Sequence, residues 1–277
     1  MQVVGPDGLV EGEAHAPRDL LELFAASGAL RACSPAARRR LEALYADDAT
    51  SRTAAFFESV LADPAEVPQV MARLSRMRVA ILGCGGIGTG IAYLLASLGV
   101  KRFLLQDGDR IERSNLNRQF LYALDDVGQL KVEVLARELK RRFEGLRIAL
   151  DIHAVDPAMP RMAWVDDFGA GDHIVVSADD PPDLCFHVHG RIANPDIAVW
   201  SAGYLNGVSK VERLSGRKRA RPPGTWRRIA PVSTSVGFQN FEICARLAAA
   251  IAFDAFAPGA AQYHDYRRLV PSGRASG

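Results

Sequence analysis

The sequence predicts an α/β fold: a mainly parallel sheet with helices on both faces, preceded by a small, mostly helical N-terminal segment. Three observations carry this expectation. From Arg78 onward short apolar strands alternate with helices, the pattern of a sheet covered on both sides. A glycine-rich loop, GCGGIG at Gly83 to Gly88, joins the first of these strands to its helix. The chain also has 277 residues, 48% of them apolar, enough to bury a full core.

The elements follow in order. After a turn at Gly5-Pro6-Asp7-Gly8, PRDLLELFAASG and SPAARRRLEALYA each place proline in a first helical turn, and Ser34 stands as N-cap of the second. RVAIL is the first strand, and Ile87 to Leu98 is the helix after the glycine loop. RFLLQ, RIALDIH, HIVVS and IAVWSA read as the next strands. The helices between them fall at Gln129 to Phe143, Pro160 to Phe168 and Asp183 to Arg191. A basic segment then interrupts the alternation. A last long helix runs from about Ser233 to Phe256, and Pro258 to Gly277 reads as a loosely ordered tail.

Composition excludes several classes. The longest apolar stretches, such as Ala248 to Ala257, are broken by Asp254 or bounded by Arg246 and stay short of the ~20 residues a bilayer requires. MQVVGPDGLVEGEAH is acidic and lacks the basic start and apolar core of a secretory signal, so a cytoplasmic location without a membrane partner is expected. Cys33, Cys84, Cys185 and Cys244 form no C-x-x-C pair, which argues against a disulfide framework and against structural zinc. Net charge is only +2, yet Arg213 to Arg228 concentrates basic residues without one acid. Lacking interleaved aromatics or a known module, this segment does not read as a nucleic-acid site.

Ligands of an open parallel sheet sit at the carboxyl ends of its strands, where backbone amides and a helix N-terminus approach phosphate. Gly83, Gly85, Gly86 and Gly88 occupy that position. Alone they fit a nicotinamide or flavin enzyme equally well. Asp107, at the end of the next strand, suits a ribose hydroxyl under either reading. The stretch after it discriminates: Asp107, Asp109, Asn115, Arg118 and Gln119, then Lys131 on the following helix. A redox dinucleotide keeps its pyrophosphate through the reaction, whereas cleaving a triphosphate requires charge to be neutralised on the departing group. Arg118 and Lys131 supply that charge.

GCGGIG, D-x-D followed by NLNRQ, then VGQLK and later VVSADD make residues 51–257 resemble the ThiF/MoeB adenylating family. That family includes the molybdopterin and thiamine sulfur-carrier activators and the ubiquitin-activating enzymes. The resemblance implies a Rossmann-like adenylation domain over 51–257, a small N-terminal segment over 1–50 and a tail over 258–277. It implies ATP and Mg2+ as cofactors, with Asp107 at the ribose, Asn115, Arg118 and Lys131 at the phosphates, and Asp179 at magnesium. Asp180 stands where the family has asparagine. SRTAAFF, Ser51 to Phe57, resembles the family segment whose arginine reaches the ATP of the other subunit; Arg52 would act in trans across a homodimer. AILGCGGIG, SAGYLNGV and IAPVSTSVG are most similar to the branch that adenylates the C-terminal carboxylate of a ribosomal peptide, as in microcin C biosynthesis. Tyr204 in SAGY would lie near that carboxylate.

Departures from the family also matter. The two zinc-binding C-x-x-C pairs are missing, and no cysteine lies between Val211 and Pro231, where many members form a thioester. Cys84 and Cys185 read as structural. His187 and His189 are two residues apart, on different helix faces, and do not read as a metal pair. The segment before Ser51 is shorter than the peptide-clamping domain of the microcin branch. The expected activity is ATP-dependent adenylation of a peptide carboxylate, with Arg217, Lys218, Arg219 and Arg221 drawing the substrate in. The alternatives are adenylation of a sulfur-carrier or ubiquitin-like C-terminus, a peptide scaffold that binds nucleotide without catalysis, and a nicotinamide oxidoreductase.

Overall fold

The computed structural model describes residues 34–156, 162–177, 184–205, 208–215, 235–255 and 257–266, with isolated positions before residue 34. Two compact units divide the chain between Arg73 and Leu74. In the first, α1 (Pro35–Tyr45) starts on Ser34, whose Oγ accepts a hydrogen bond from the Ala37 amide at 3.2 Å, with proline in the first turn. The next helix, α2 (Ser51–Val60), buries Ala54 and Phe57. Tyr45 donates its hydroxyl proton to the Glu58 carboxylate and ties the two helices together. α3 (Val67–Arg76) runs across the boundary.

The second unit contains β1 (Arg78–Leu82), α4 (Gly86–Ser97), β2 (Arg102–Gln106), α5 (Lys131–Arg142), β3 (Arg147–Asp151), β4 (His173–Val176), α6 (Leu184–His189), β5 (Ala198–Leu205), β6 (Val208–Arg213), α7 (Gly237–Ala252) and β7 (Ala261–Asp265). Together the strands form one seven-stranded sheet in the order β3-β2-β1-β4-β5-β6-β7. The first five are parallel, and β6 and β7 add antiparallel edges. Helical crossovers make the parallel part possible, since parallel neighbours cannot be joined by a tight turn.

Strand order reverses between β1 and β4, so the carboxyl ends of these two strands flank a crevice. Val79, Ala80, Ile81 and Leu82 are all fully buried, as a central strand covered on both faces requires. On one face Ala80, Leu82, Leu104, Ile174 and Val176 pack with Met162 and with Leu184 and Val188 of α6. On the other, α4 lies so close to α7 that a Cβ at Gly90 would stand 2.5 Å from the Cys244 sulfur. Among the described residues no helix is long and apolar enough to cross a membrane.

Three elements differ from the sequence reading. β5 continues to Leu205 and pairs with β6 as a hairpin, where only a strand had been expected. The intervening Asn206-Gly207 is a strong hairpin signal. β7 lies within the stretch read as a tail and pairs with β6 from Val208↔Asp265 to Glu212↔Ala261. In place of the helix expected at 160–168, the described part is a 3-10 segment, Ala163–Asp167.

Candidate nucleotide site

The site grows out of the turn after β1. Gly83 adopts φ 95°, a left-handed conformation open to glycine at little cost. Its carbonyl oxygen would stand 1.9 Å from any Cβ at Gly88, so only glycine lets α4 start this near the strand. Gly85 is the N-cap of α4 and contributes no side-chain cap. The first-turn amides of α4 are thereby left to water or to an anionic ligand at the crevice.

Asp107 follows β2 and binds this loop to the next strand. Its carboxylate accepts hydrogen bonds from the Cys84 amide at 2.6 Å and from the Asp109 amide at 2.8 Å. Each carboxylate oxygen keeps a further acceptor position, so a ribose hydroxyl remains compatible with this arrangement. Lys131 opens α5 with only 7% of its surface exposed, and its Nζ lies 2.7 Å from Asp109 Oδ2. A buried ammonium without a carboxylate would be strongly destabilising, and Asp109 is that partner. The phenol of Tyr122 lies 2.8 Å from the Cys84 carbonyl and 3.2 Å from the Lys131 carbonyl, bridging the glycine loop and α5. Burial above all, then the neighbouring Cys84 and Asp107, push its pKa well up, so it remains a donor.

Cys84 itself is fully buried. Burial first, and the Asp107 charge second, raise its thiol pKa well above the usual value, although Lys131 pulls the other way. It is a packing residue within the loop.

The 3-10 turn Arg113–Asn115 presents the other polar residues. Asn115 is occupied locally: its Oδ1 accepts from the Glu112 amide at 3.1 Å, and its own amide donates to the Glu112 carbonyl at 2.9 Å. Arg118 stands half-exposed at the rim, with Nη1 bonded to the Ser114 carbonyl at 2.8 Å and to Asn117 Oδ1 at 2.9 Å. Gln119 is 2% exposed and faces Gly85, and its Oε1 has no hydrogen-bond partner. Asn240, on α7, lies against Gly86 and also leaves Oδ1 unpartnered. Orphaned buried carboxamide oxygens on both sides of a glycine loop fit a site that a ligand or water completes.

The structure brings Gly83, Gly85, Gly86, Gly88, Asp107, Asp109, Gln119 and Lys131 together at one crevice. Tyr204 lies near the end of β5, with its hydroxyl bonded to Ser235 Oγ. Arg52 is exposed on α2, in the first unit. Asp179, Arg217, Lys218, Arg219 and Arg221 fall outside the described residues. Cys185 is half-buried, and burial raises its pKa. His187 is exposed on α6 while His189 is half-buried.

Four contributors escaped the sequence reading. Tyr122 and Asn240 carry no local signal. Ser177, whose Oγ donates to the Gly83 carbonyl at 2.6 Å, sits in the expected strand end HIVVS, and Ser235 in the segment IAPVSTSVG. Both were visible as positions, but not as contacts.

The ThiF family description matches residues 58–222, more than half of the chain. Over 113 residues the chain is 34% identical to the SAMP-activating enzyme E1 of Haloferax volcanii, covering 41% of this chain and 40% of that protein. It is 40% identical over 91 residues to the NEDD8-activating enzyme E1 catalytic subunit of Arabidopsis thaliana, covering 32% and 20%. The chain spans between 19% and 43% of the length of the first curated relatives it matches. Among solved structures, E. coli MccB superimposes with a TM-score of 0.62 at 25% identity, covering 79% of this chain and 69% of that one. The E. coli MccB structure with AMPCPP and MccA gives 0.64 at 22% identity, covering 91% and 80%. The chain belongs to the ThiF family.

Proposed function

We propose that this chain is an ATP-dependent adenylyltransferase that activates a peptide carboxylate as an acyl adenylate, in the maturation of a ribosomally made peptide. The observation that carries this reading is the buried Lys131 ammonium, held by the exposed Asp109 carboxylate, beside the uncapped start of α4. A held ammonium at a phosphate-facing loop serves a reaction in which charge develops on phosphate, and hydride transfer needs none there.

The substrate carboxylate attacks the α-phosphorus in line, and the bond to the departing pyrophosphate breaks. Lys131 and Arg118 neutralise the pyrophosphate, with Arg52 acting across a homodimer. Asp107 holds the ribose, and Asn115 and Gln119 complete the nucleotide site. Mg2+ bound with the phosphates would supply further charge neutralisation. Asp179, which the family resemblance places at magnesium, is the residue we assign to it. Tyr204 lies at the substrate end, and Arg217, Lys218, Arg219 and Arg221 draw the peptide in. A peptide substrate is supported by the likeness to MccB, which in one solved complex with the peptide MccA extends over 91% of this chain.

A second reading, adenylation of a sulfur-carrier or ubiquitin-like C-terminus, is supported by curated relatives such as the sulfur carrier protein adenylyltransferase of Thermus thermophilus, 40% identical over 73 residues. ATP–pyrophosphate exchange separates the two. Short peptides with a free C-terminal carboxylate should drive exchange, and small proteins ending in Gly-Gly should not. The reverse pattern selects the second reading, and exchange with neither leaves a nucleotide-binding scaffold. ATP with Mg2+ should also raise the melting temperature and NAD should not, because a ligand stabilises the native state it binds. A larger shift with NAD would sink the adenylation reading.

A further inference from the structure

We infer that Asn117 is a positioning residue for Arg118, and that Ser235 anchors it, so that one polar junction joins the phosphate end of the site to its substrate end. The inference rests on the proposed role of Arg118 at the phosphates. Asn117 uses both halves of its carboxamide: Oδ1 accepts from Arg118 Nη1 at 2.9 Å, and Nδ2 donates to the Ser235 carbonyl at 3.2 Å. Aspartate lacks the donor, and serine lacks the second arm.

Ser235 is equally committed. Its Oγ is bonded to the Tyr204 hydroxyl at the end of β5 and accepts from Asn240 Nδ2 at 3.2 Å. Asn240 in turn lies against Gly86, the first residue of α4. The two backbones also approach closely, since a Cβ at Gly237 would stand 3.3 Å from the Asn117 carbonyl oxygen.

Four separate parts of the chain therefore meet at Ser235: the Arg118 loop, the end of β5, the first turn of α7 and, through Asn240, the glycine loop. An arginine at a rim has many rotamers, and a phosphate transition state needs one of them. Asn117 selects it. Because Tyr204 and Asn117 share Ser235, occupancy of the substrate end and the aim of Arg118 are linked, and any such linkage is reciprocal.

The test is a double-mutant cycle read by calorimetric titration of α,β-methylene-ATP with Mg2+. Arg118→Ala should weaken binding; if it does not, the phosphate role of Arg118 has failed, and this inference falls with it. If it does, Asn117→Ala alone should weaken binding by about tenfold, the loss of one hydrogen bond to a charged group. In the Arg118→Ala background the same change should add almost nothing. Equal losses from Asn117→Ala in both backgrounds would make Asn117 a structural brace and overturn the inference. No loss in either, with Arg118→Ala still harmful, would overturn it too.

Discussion

The parallel and the antiparallel sides of the sheet hold their polar groups by different means. On the parallel side the backbone does most of the work: the Asp107 carboxylate is held by two main-chain amides, and glycines permit the close approaches. On the antiparallel side, side chains hold side chains. Glu242 of α7 collects Ser209 Oγ at 3.0 Å, Arg246 Nη2 at 3.1 Å and Tyr266 Oη at 2.8 Å. Burial and the bond to Glu242 push the Tyr266 phenol up to about 12, so it stays a donor. A backbone-held carboxylate is positioned as soon as its strands pair. The Glu242 cluster exists only after α7 has docked against β6 and β7. The first arrangement forms with the parallel strands themselves, and the second makes the antiparallel side depend on one helix.

Two matched pairs of substitutions test this contrast, beginning with the largest effect. Lys131 and Lys210 both pair with a carboxylate, at 2.7 Å and 2.8 Å respectively. Lys131→Ala should lower pyrophosphate release by about 10²- to 10³-fold, the usual loss of a group that stabilises developing charge. Lys210→Ala, which removes one partner of the buried Glu212 carboxylate, should lower stability but keep pyrophosphate release within about fivefold of wild type well below its melting temperature. Equal losses would put the chemistry on both sides of the sheet.

The next effect is on stability. Gly88→Ala drives a Cβ to 1.9 Å from the Gly83 carbonyl, whereas Gly203 in β5 has nothing within 4 Å of that position. Gly88→Ala should cost about 3 kcal/mol, a fall of about 6 to 12 °C in melting temperature. Gly203→Ala should shift stability by no more than about 0.5 kcal/mol. If thermal denaturation ranks them the other way, the close approach at the glycine loop is not what holds α4.

The smallest effect lies at the far end of α5. A hydrogen bond from Arg142, with help from Arg141, keeps the Glu138 carboxyl below its usual pKa, although burial works the other way. Its folded pKa is thus below the unfolded value of about 4.3, so its contribution is fully present above that pH and is lost as pH falls through the folded value. Glu138→Gln should therefore lose less melting temperature than wild type between about pH 5 and about pH 3. Equal acid limbs would show that the arginines do not act through this carboxylate.

The same contrast explains which features were legible in the amino-acid order. The glycine loop, Asp107, Asp109 and Lys131 belong to consecutive elements, β1-α4-β2-α5, and their spacing announces them as positions, whereas the ion pair between Lys131 and Asp109 is a contact that only the fold shows. The 3-10 segment misled because Met162, Val165 and Phe168 recur every three residues, a spacing that helices of either type place on one face. Met162 is buried, and Val165 and Phe168 pack against the same core. The β5–β6 hairpin is legible in Asn206-Gly207, a dipeptide that favours the tight turn between two paired strands. β7 carried no comparable mark, because Ala261–Asp265 becomes a strand only through the register it takes on β6.

Local chain order was enough for the parallel half of the fold and for the nucleotide cradle, because strand, glycine turn and helix form one contiguous unit whose geometry follows from backbone sterics. Folding alone decided that Ser235 should meet Asn117 across 118 positions and Tyr204 across 31, and that Asn240 should press on Gly86. Those contacts depend on α7 docking beside α4, and such docking is set by the packing of whole surfaces, which no short stretch of residues records.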